Sequence, residues 1–200
     1  MRIETVSSAQ TQTIDRIVSI HMDTFQGFFL TFMGRGFLRS LYRSYAEHKD
    51  SGLLVAFEED GPIGFLAYSA DYSGLYRYMI KRRLISFAWY SLCAFLRRPA
   101  VFLRLIRALL KPGEAKREEE YVELASIGVA PESKSCGVGS RLVDALKDRV
   151  DFSRYAYITL ETDAVDNEAA NRFYKKNGFV PVRMFETAEG RKMYEYRYSV

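Results

Sequence analysis

Apolar positions in the N-terminal part of the chain follow helical spacing in some stretches and strand spacing in others. Residues 2–6 read as a first strand, and Ser8 can cap the helix that follows. The runs 53–57 and 63–69 predict an antiparallel hairpin. Between the first strand and this hairpin, apolar residues recur every three or four positions in two amphipathic helices. The first contains Ile14, Ile17, Val18 and His21, and the second, after Gly27 and Gly34, contains Phe37, Leu38, Leu41, Tyr42 and Tyr45.

The C-terminal part predicts strands and helices in alternation. Strands at 121–129 and 157–162 are each followed by a helix, at 138–150 and 168–176. Residues 179–185 and 192–198 then form a strand pair around Glu189 and Gly190. After an N-terminal βαα unit the order is ββαβαββ, which predicts an α/β (α+β) fold. We expect residues 1–200 to form one domain.

A basic and aromatic segment, at about residues 72–117, separates the third and fourth predicted strands. Its central part, 75–111, contains nine Lys or Arg and no Asp or Glu, although the whole chain has a net charge of only +4. The apolar stretch 84–96 is shorter than the roughly 20 residues that a membrane span needs, and Pro99 is expected to separate two helices. We therefore expect an inserted helical segment that does not cross a membrane.

Three interpretations of this insert stay open. It can be a lid whose arginines clasp a phosphorylated or nucleotide-linked substrate, a helix pair at a membrane surface, or the contact surface of a homodimer. The lid and the dimer are favoured. Nucleic-acid binding has little support, because no helix-turn-helix, RRM or OB signature accompanies the basic residues.

A turn rich in small residues joins the strand at 121–129 to the next helix. It contains Gly137 and Gly139 and leads directly into an amphipathic helix. Backbone amides at such a turn point the same way as those at a helix N-terminus, where the helix dipole is positive. This arrangement suits a pyrophosphate, so we expect a phosphate cradle at residues 135–140 that binds mainly through the main chain.

Two linked motifs in the C-terminal part resemble the GNAT superfamily of acyl-CoA-dependent N-acyltransferases. The family's cofactor loop reads Arg/Gln-Gly-x-Gly-x-Gly/Ala after a strand that ends in Val-x-Pro, and residues 134–139 occupy that place. Its next helix commonly reads Asn-x-x-Ala-x-x-x-Tyr and closes with Gly-Phe. The matching residues here are Asn167, Ala170, Tyr174, Gly178 and Phe179. Either motif alone is weak; the two in order, with a strand between them, carry the resemblance.

The resemblance implies a mixed, mostly antiparallel sheet that splays between strands four and five, and acetyl-CoA as the cosubstrate. Pantetheine would bond to the exposed backbone of strand four at Ile127 and Val129. The remaining cofactor contacts implied are Lys134, Ser135, Cys136, Gly137, Val138, Gly139, Ser140, Asn167 and Asn171. For Asn167 an N-cap role, and for Asn171 an exposed helix position, are the alternatives.

Acetyl transfer to an amine needs a group that removes a proton and a group that protonates the departing thiolate. Tyr174 is the candidate acid, because a phenol with an ordinary pKa of about 10 is protonated at neutral pH; the alternative is a core aromatic. Glu123 is the candidate base, with a solvated or paired carboxylate as the alternative, and Glu161 is the reserve. No metal is implied: His21 and His48 read as packing or surface residues without a ligand cluster.

The chain departs from the family's loop pattern at three neighbouring positions. Lys134 replaces the usual Arg or Gln, Ser135 stands where Gly is frequent, and Cys136 stands where a basic residue is common. These changes remove one charge and constrain the turn, which implies weaker CoA affinity. We expect Cys136 to be a small packing residue rather than a reactive thiol.

Taken together, the sequence predicts an acetyl-CoA-dependent N-acetyltransferase that acts by direct attack of a bound amine. The positive insert suggests a small anionic acceptor, such as a nucleotide-linked amino sugar. The alternative is a non-catalytic GNAT-like module that binds CoA and docks a membrane or protein partner through the insert. Two separate cysteines and an N-terminus without a signal-peptide pattern predict the cytoplasm, with peripheral contact to the inner face of a membrane left open.

Overall fold

A seven-stranded mixed sheet forms the centre of the computed structural model, which describes residues 1–100, 102–103, 119–187 and 190–200. Its spatial order is β1-β2-β3-β4-β5-β7-β6, and β4 and β5 are the parallel pair among otherwise antiparallel neighbours. The strands are β1 (Arg2–Thr5), β2 (Ser51–Glu58), β3 (Gly61–Ser69), β4 (Tyr121–Val129), β5 (Tyr157–Asp163), β6 (Val180–Glu186) and β7 (Lys192–Tyr198). The predicted fold class is confirmed.

Helices cover both faces of the sheet. Those described are α1 (Thr11–Thr24), α2 (Phe29–Met33), α3 (Arg35–Glu47), α4 (Tyr72–Arg97), α5 (Val138–Lys147) and α6 (Glu168–Lys176). The strand β2 shows how the two cores arise: Leu53 and Val55 belong to the core under α1 and α3, while Leu54 and Ala56 belong to the core under α5 and α6. Because side chains alternate along a strand, a continuous apolar run supplies both cores.

The strands β4 and β5 separate part-way along their length. They are paired at Tyr121↔Tyr157, Val122↔Ile158 and Glu123↔Thr159, and their pairing ends there. On the other edge of β4, the register with β3 steps from Leu124 to Ser126. Ala125 is therefore a β-bulge, which bends the strand away from its neighbour. The splay predicted between strands four and five is confirmed.

The structure differs from the prediction at two places near the N-terminus, the cap of the first helix and a short second helix. Helix α1 begins at Thr11, and Gln10, not Ser8, occupies its N-cap. The side chain of Gln10 accepts a hydrogen bond from the Ser7 amide at 2.9 Å, so a turn over residues 7–10 precedes the helix. The short helix α2 was not predicted, since its five residues are too few to show a periodic pattern.

The insert begins with a long helix, as expected. Asp71 caps α4 by accepting a hydrogen bond from the Gly74 amide at 2.7 Å, and the backbone at Arg83 is non-helical, which marks a kink. The helix ends before Pro99, and residues 99–100 and 102–103 are again helical. Within the described residues, no helix is both long and apolar enough to cross a membrane. The rest of the predicted insert, 104–117, and the turn residue Glu189 lie outside the described residues.

Candidate active site

Apolar side chains of β4, β5 and α6 belong to one core next to the separation of β4 and β5. Leu124 on β4, Leu160 on β5 and Tyr174 on α6 are buried in one core, and Ile127 and Val129 pack against that core from beyond the bulge. The Val129 carbonyl accepts a hydrogen bond from the Thr24 hydroxyl at 3.3 Å. A strand edge without a strand partner offers main-chain donors and acceptors to an extended ligand. The predicted pantetheine positions thus lie on the part of β4 that is paired with β3 but not with β5.

The glycine-rich turn leads from β4 to α5 through two left-handed residues. A single 3₁₀ turn, Pro131–Ser133, is followed by Ser135 at φ 66° and by Gly137 at φ 78°. Gly137 is the N-cap of α5, and it has no side chain that could cap the helix. The Arg141 amide bonds to the Gly137 carbonyl at 3.1 Å. In helix geometry the amides that precede it, those of residues 138–140, have no partner inside the helix and can bind an anion.

Side chains on this turn point outward rather than into the core. Lys134, Ser135 and Cys136 are all exposed. The Cys136 thiol donates a long hydrogen bond, 3.6 Å, to the Lys134 carbonyl. The expectation that Cys136 is a packing residue was wrong, because the left-handed backbone on both sides of it turns its side chain to solvent. An open turn of this kind fits a phosphate group, with Lys134 as a nearby charge.

Gly139 allows α5 and α6 to approach each other beside the turn. A methyl group at Gly139 would lie 3.0 Å from the Phe173 ring and 3.8 Å from Val129. This glycine is needed for close packing, in contrast to Gly137, where a methyl group would meet nothing within 4 Å and only the positive φ demands glycine. Ser140 is half-buried and Val138 is buried.

Asn167 and Asn171 tie the start of α6 to the end of β5. The Asn167 amide group donates to the Thr162 hydroxyl at 2.8 Å and makes no capping bond to its own helix. The Asn171 amide group donates to the carbonyls of Asp163 and Asn167, and its oxygen accepts from the Tyr196 hydroxyl at 3.0 Å. Both N–H groups of Asn171 are therefore used within the protein. The alternative that Asn171 is an exposed helix residue was wrong.

Tyr174 lies on the face of α6 that packs against the sheet. Its side chain is 9 % exposed and contacts the rings of Phe173, Phe179 and Tyr196 at centroid distances of 5.2, 6.0 and 5.8 Å. Burial raises the pKa of the Tyr174 phenol to about 12. Within the described part of the chain its hydroxyl makes no hydrogen bond. The side chain is a core aromatic, and its phenol stays protonated at neutral pH.

Glu123 lies where the pairing of β4 and β5 ends, on the sheet face opposite to Tyr174. Its neighbours Val122 and Leu124 point into the core under α5 and α6, so Glu123 points toward α1 and α3. There it approaches Tyr45: burial first, then Tyr72 and Glu123, hold the pKa of the Tyr45 phenol well above its ordinary value. The two candidate catalytic groups thus lie on opposite faces of the sheet.

Glu161 and Glu195 lie on the same sheet face as Glu123, farther along the sheet. Glu161 is exposed and lies 4.0 Å from Arg183. Its cross-strand neighbour Glu195 has a side chain only 2 % exposed, held by Arg183 at 3.2 Å and Arg197 at 2.9 Å. Sequence reasoning missed this buried carboxylate, because the alternation of side chains along β7 does not show that one of its charged positions is enclosed.

The two histidines have different surroundings. His21 is buried, its Nδ1 lies 2.6 Å from the Tyr42 hydroxyl, and burial lowers its pKa to about 4. His48 was expected to stand without a ligand cluster, which was wrong: one possible ligand atom each from His48, Asp50 and Asp71 lie within 4.8 Å of one another. Asp71 also caps α4, and Asp50 pairs with Lys49 at 3.5 Å, so these carboxylates already have structural partners.

The chain is similar to a known protein family. The family model described as "Acetyltransferase (GNAT) family" matches residues 14–179. This stretch contains both predicted motifs, the splayed strands and the helix α6. A search of curated proteins finds no match for the chain.

Solved structures with the same fold are distant in sequence. A protein assigned to the GNAT family from Desulfovibrio desulfuricans is 16 % identical, with a TM-score of 0.61 over 99 % of this chain and 98 % of its own. A ribosomal-protein-alanine N-acetyltransferase from Brucella melitensis is 14 % identical, with a TM-score of 0.62 over the full length of both chains. A protein assigned as a streptothricin acetyltransferase from Bacillus anthracis, in complex with acetyl coenzyme A, is 17 % identical, with a TM-score of 0.52 over 80 % of this chain and 68 % of its own.

Proposed function

The chain belongs to the GNAT acetyltransferase family, whose cosubstrate is acetyl-CoA, and from this premise we propose that it transfers an acetyl group to the primary amine of a small acceptor. We further propose that residues 1–200 act as one domain, with the segment at about 72–117 inserted into it. The observation that carries the proposal is the part of β4 that is not paired with β5, which leads into a turn with two left-handed residues.

The cosubstrate-binding part of the proposal rests on main-chain geometry. Bound acetyl-CoA supplies an electrophilic thioester. The open edge of β4 at Ile127 and Val129 can hold an extended arm as an added strand. The amides at the start of α5 can hold a pyrophosphate at its N-terminus, with Lys134 supplying a positive charge nearby. Residues 134–140 can bind in this way without a specific side chain, which explains how Ser135 and Cys136 can replace the family's usual residues.

Tyr174 supports the proton-donating half of the reaction. The hydroxyl has no competing hydrogen bond in the described part of the chain, and the raised pKa keeps it protonated at every physiological pH. A protonated phenol can donate its proton to a leaving thiolate, whose conjugate acid has a pKa of about 8.5. We assign Tyr174 as the general acid.

Glu123 supports the proton-accepting half. It lies at the point where β4 and β5 separate, and its charge helps to raise the pKa of the Tyr45 phenol. A carboxylate there can take the proton of an amine that enters from the α1 and α3 side, directly or through a water. We assign Glu123 as the general base, with Glu161 as the reserve because it faces the same side of the sheet.

The acceptor proposed is a small anionic amine, such as a nucleotide-linked amino sugar. The support is the charge of the insert, in which nine basic residues occur without an acidic one between residues 75 and 111. The structural relatives do not narrow the choice, since their names include a ribosomal-protein alanine and streptothricin as acceptors. Initial rates with matched anionic and neutral amines test it: selective turnover of the anionic ones supports the proposal, and equal use of both contradicts it.

Calorimetric titration with acetyl-CoA and with free CoA tests the proposed cradle. Gly137→Asp should abolish saturable binding, because it adds a negative charge and a side chain at a left-handed position. Gly61→Asp is the matched control: this glycine also has a positive φ, 117°, and open space, but it lies in the β2–β3 hairpin. Binding that survives in Gly137→Asp, or is lost equally in both folded variants, would contradict the cradle.

A non-catalytic docking module is the second candidate. It is supported by the loop itself, where Ser135 adopts a left-handed backbone that family members commonly fill with glycine. Such a module would bind CoA, or have lost it, and would use the insert to reach a partner. Removal of the Tyr174 hydroxyl separates the two candidates, because a docking module does not need that group.

A further inference from the structure

The outer surface of α4 carries a line of large apolar side chains that the fold leaves in contact with solvent. Ile85, Trp89, Leu92 and Leu96 are 86, 61, 49 and 70 % exposed. Their spacing, four, three and four residues, places them on one side of the helix after the kink at Arg83. We call these four residues the outer stripe. Tyr76 and Ile80, before the kink, and Leu84, directly after it, are likewise 62, 47 and 58 % exposed.

The opposite side of the same helix is already packed. The Phe87 ring lies edge-on against Phe37 of α3 at 4.8 Å, and the Tyr90 ring covers Gly36 of α3. Ala94 is fully buried. The helix therefore cannot rotate to bury the outer stripe without exposing these residues. A helix that is apolar on both sides needs apolar surroundings on both sides, and the described residues supply them on one side only.

Positive charge accompanies the outer stripe. Two arginines of α4 are used inside the protein: Arg83 pairs with Glu47 at 2.6 Å, and Arg97 donates to the carbonyls of Phe32 and Met33. The other basic residues of the helix and of its C-cap are exposed and make no ion pair within the described part of the chain; these are Arg77, Lys81 and Arg82 in α4 and Arg98 at the C-cap. No acidic residue occurs between Asp71 and Arg98 to offset them.

We infer that α4 binds the surface of an anionic lipid bilayer, lying in its plane. The outer stripe would enter the boundary between headgroups and acyl chains, and the exposed basic side chains would contact lipid phosphates. Trp89 suits this position, because tryptophan is enriched where an apolar region meets headgroups. No described helix can cross a membrane, so the contact is peripheral. The inference goes beyond acetyl transfer and does not depend on it.

The positive charge of α4 favours a bilayer over a second copy of the chain as the partner of the outer stripe. A two-fold symmetric dimer through α4 would place the same positive surface against itself. Like charges brought together in this way oppose association, whereas anionic lipid complements them. The apolar stripe and the charge together therefore fit lipid, and dimerisation becomes an outcome of the test.

Trp89 is the sole tryptophan of the chain, so its fluorescence reports on the outer stripe alone. The full-length protein is titrated with vesicles of phosphatidylcholine, with and without phosphatidylglycerol, and binding is checked by co-sedimentation. We expect a blue shift of Trp89 emission and pelleting with the anionic vesicles. Both should weaken as salt is raised, since salt screens the lipid charge.

Paired substitutions locate the contact. Ile85→Ser with Leu96→Ser should weaken vesicle binding by about tenfold or more, because two inserted side chains are lost. Lys81→Gln with Arg82→Gln should weaken it on the order of tenfold and reduce its salt dependence. The matched control is Val180→Ser with Met184→Ser on β6, where the side chains are 61 and 60 % exposed, and it should bind as the parent does. Since all these positions are exposed, unchanged thermal melts verify folding.

Three results would overturn the inference. The first is the absence of binding to anionic vesicles. The second is equal weakening by the β6 control and the α4 variant. The third is a blue shift of Trp89 without lipid that follows protein concentration, together with sedimentation as a dimer; this would assign the outer stripe to a contact between two copies. Acetyl-CoA titration of the same samples keeps the proposed catalytic function separate, because no α4 variant touches the cradle.

Discussion

The Tyr174 side chain contributes to packing through its ring and, in the proposed mechanism, to proton transfer through its hydroxyl. A substitution that removes only the hydroxyl oxygen separates the two contributions. Tyr174→Phe keeps the ring that contacts Phe173, Phe179 and Tyr196 and removes only the donor. If the hydroxyl is the general acid, kcat should fall by about 10²- to 10⁴-fold while the Kd for acetyl-CoA stays the same. Steady-state kinetics with calorimetry measure both. Unchanged turnover would contradict the assignment and favour the docking module.

His21 predicts an acid limit to stability. Burial holds its pKa at about 4, below the unfolded value near 6.5, so the unfolded chain binds more protons between these values. The contribution of neutral His21 is complete above pH 6.5 and is lost as pH falls toward 4. Between pH 7 and 5 the free energy of unfolding should drop by about 2 kcal/mol. Urea titrations of the parent and of His21→Phe at the two pH values measure it.

The His21→Phe variant tests whether His21 itself causes the loss of stability between pH 7 and 5. The loss should shrink in His21→Phe, which cannot bind a proton at that position. A full-sized loss in His21→Phe would show that other groups cause the acid sensitivity.

At the scale of elements, the attachment of α4 to α3 depends on a missing side chain. A methyl group at Gly36 would overlap the Tyr90 ring, so Gly36→Ala must push α4 outward or force Tyr90 from its position. Overpacking of this kind costs about 1–3 kcal/mol. Thermal or urea unfolding should show this loss in Gly36→Ala.

A compensating change tests the cause of that loss. Adding Tyr90→Ala to Gly36→Ala should make the double variant more stable than the sum of the single effects predicts, since the overlap is gone. Additive effects would indicate that Gly36→Ala acts through some other contact. This double-mutant cycle also measures the coupling energy between Gly36 on α3 and Tyr90 on α4.

At the scale of the whole molecule, the two cysteines of the chain lie in different parts of the structure. The cradle at Cys136 belongs to a turn between β4 and α5, whereas Cys93 belongs to the insert. Bound acetyl-CoA should therefore shield the exposed Cys136 from alkylation by a maleimide and leave Cys93 unchanged. At ten times the Kd, the labelling rate of Cys136 should fall by about tenfold, as measured by peptide mass spectrometry. Equal rates with and without acetyl-CoA would place the cosubstrate elsewhere.

The sequence by itself determined the elements of the C-terminal part and their order. The strand β4 and the helix α6 were predicted with their observed bounds, Tyr121–Val129 and Glu168–Lys176, because apolar period and flanking Gly, Pro and Asn act locally. The same local signals led to the cofactor turn and to the family. They failed for Ser8 and for α2, where a turn and a five-residue helix leave no periodic signal.

Only the tertiary structure decided which of these residues meet, and at which surface. Period and turn chemistry do not reveal that Cys136 is exposed, that Asn171 spends both N–H groups on the protein, or that Glu195 is enclosed between two arginines. The insert shows the difference most clearly. Its apolar residues look alike in sequence, but packing against α3 partly buries Phe87, and Ala94 is fully buried, whereas Ile85 and Trp89 are exposed. Burial is a property of neighbours from distant parts of the chain, and local pattern does not contain it.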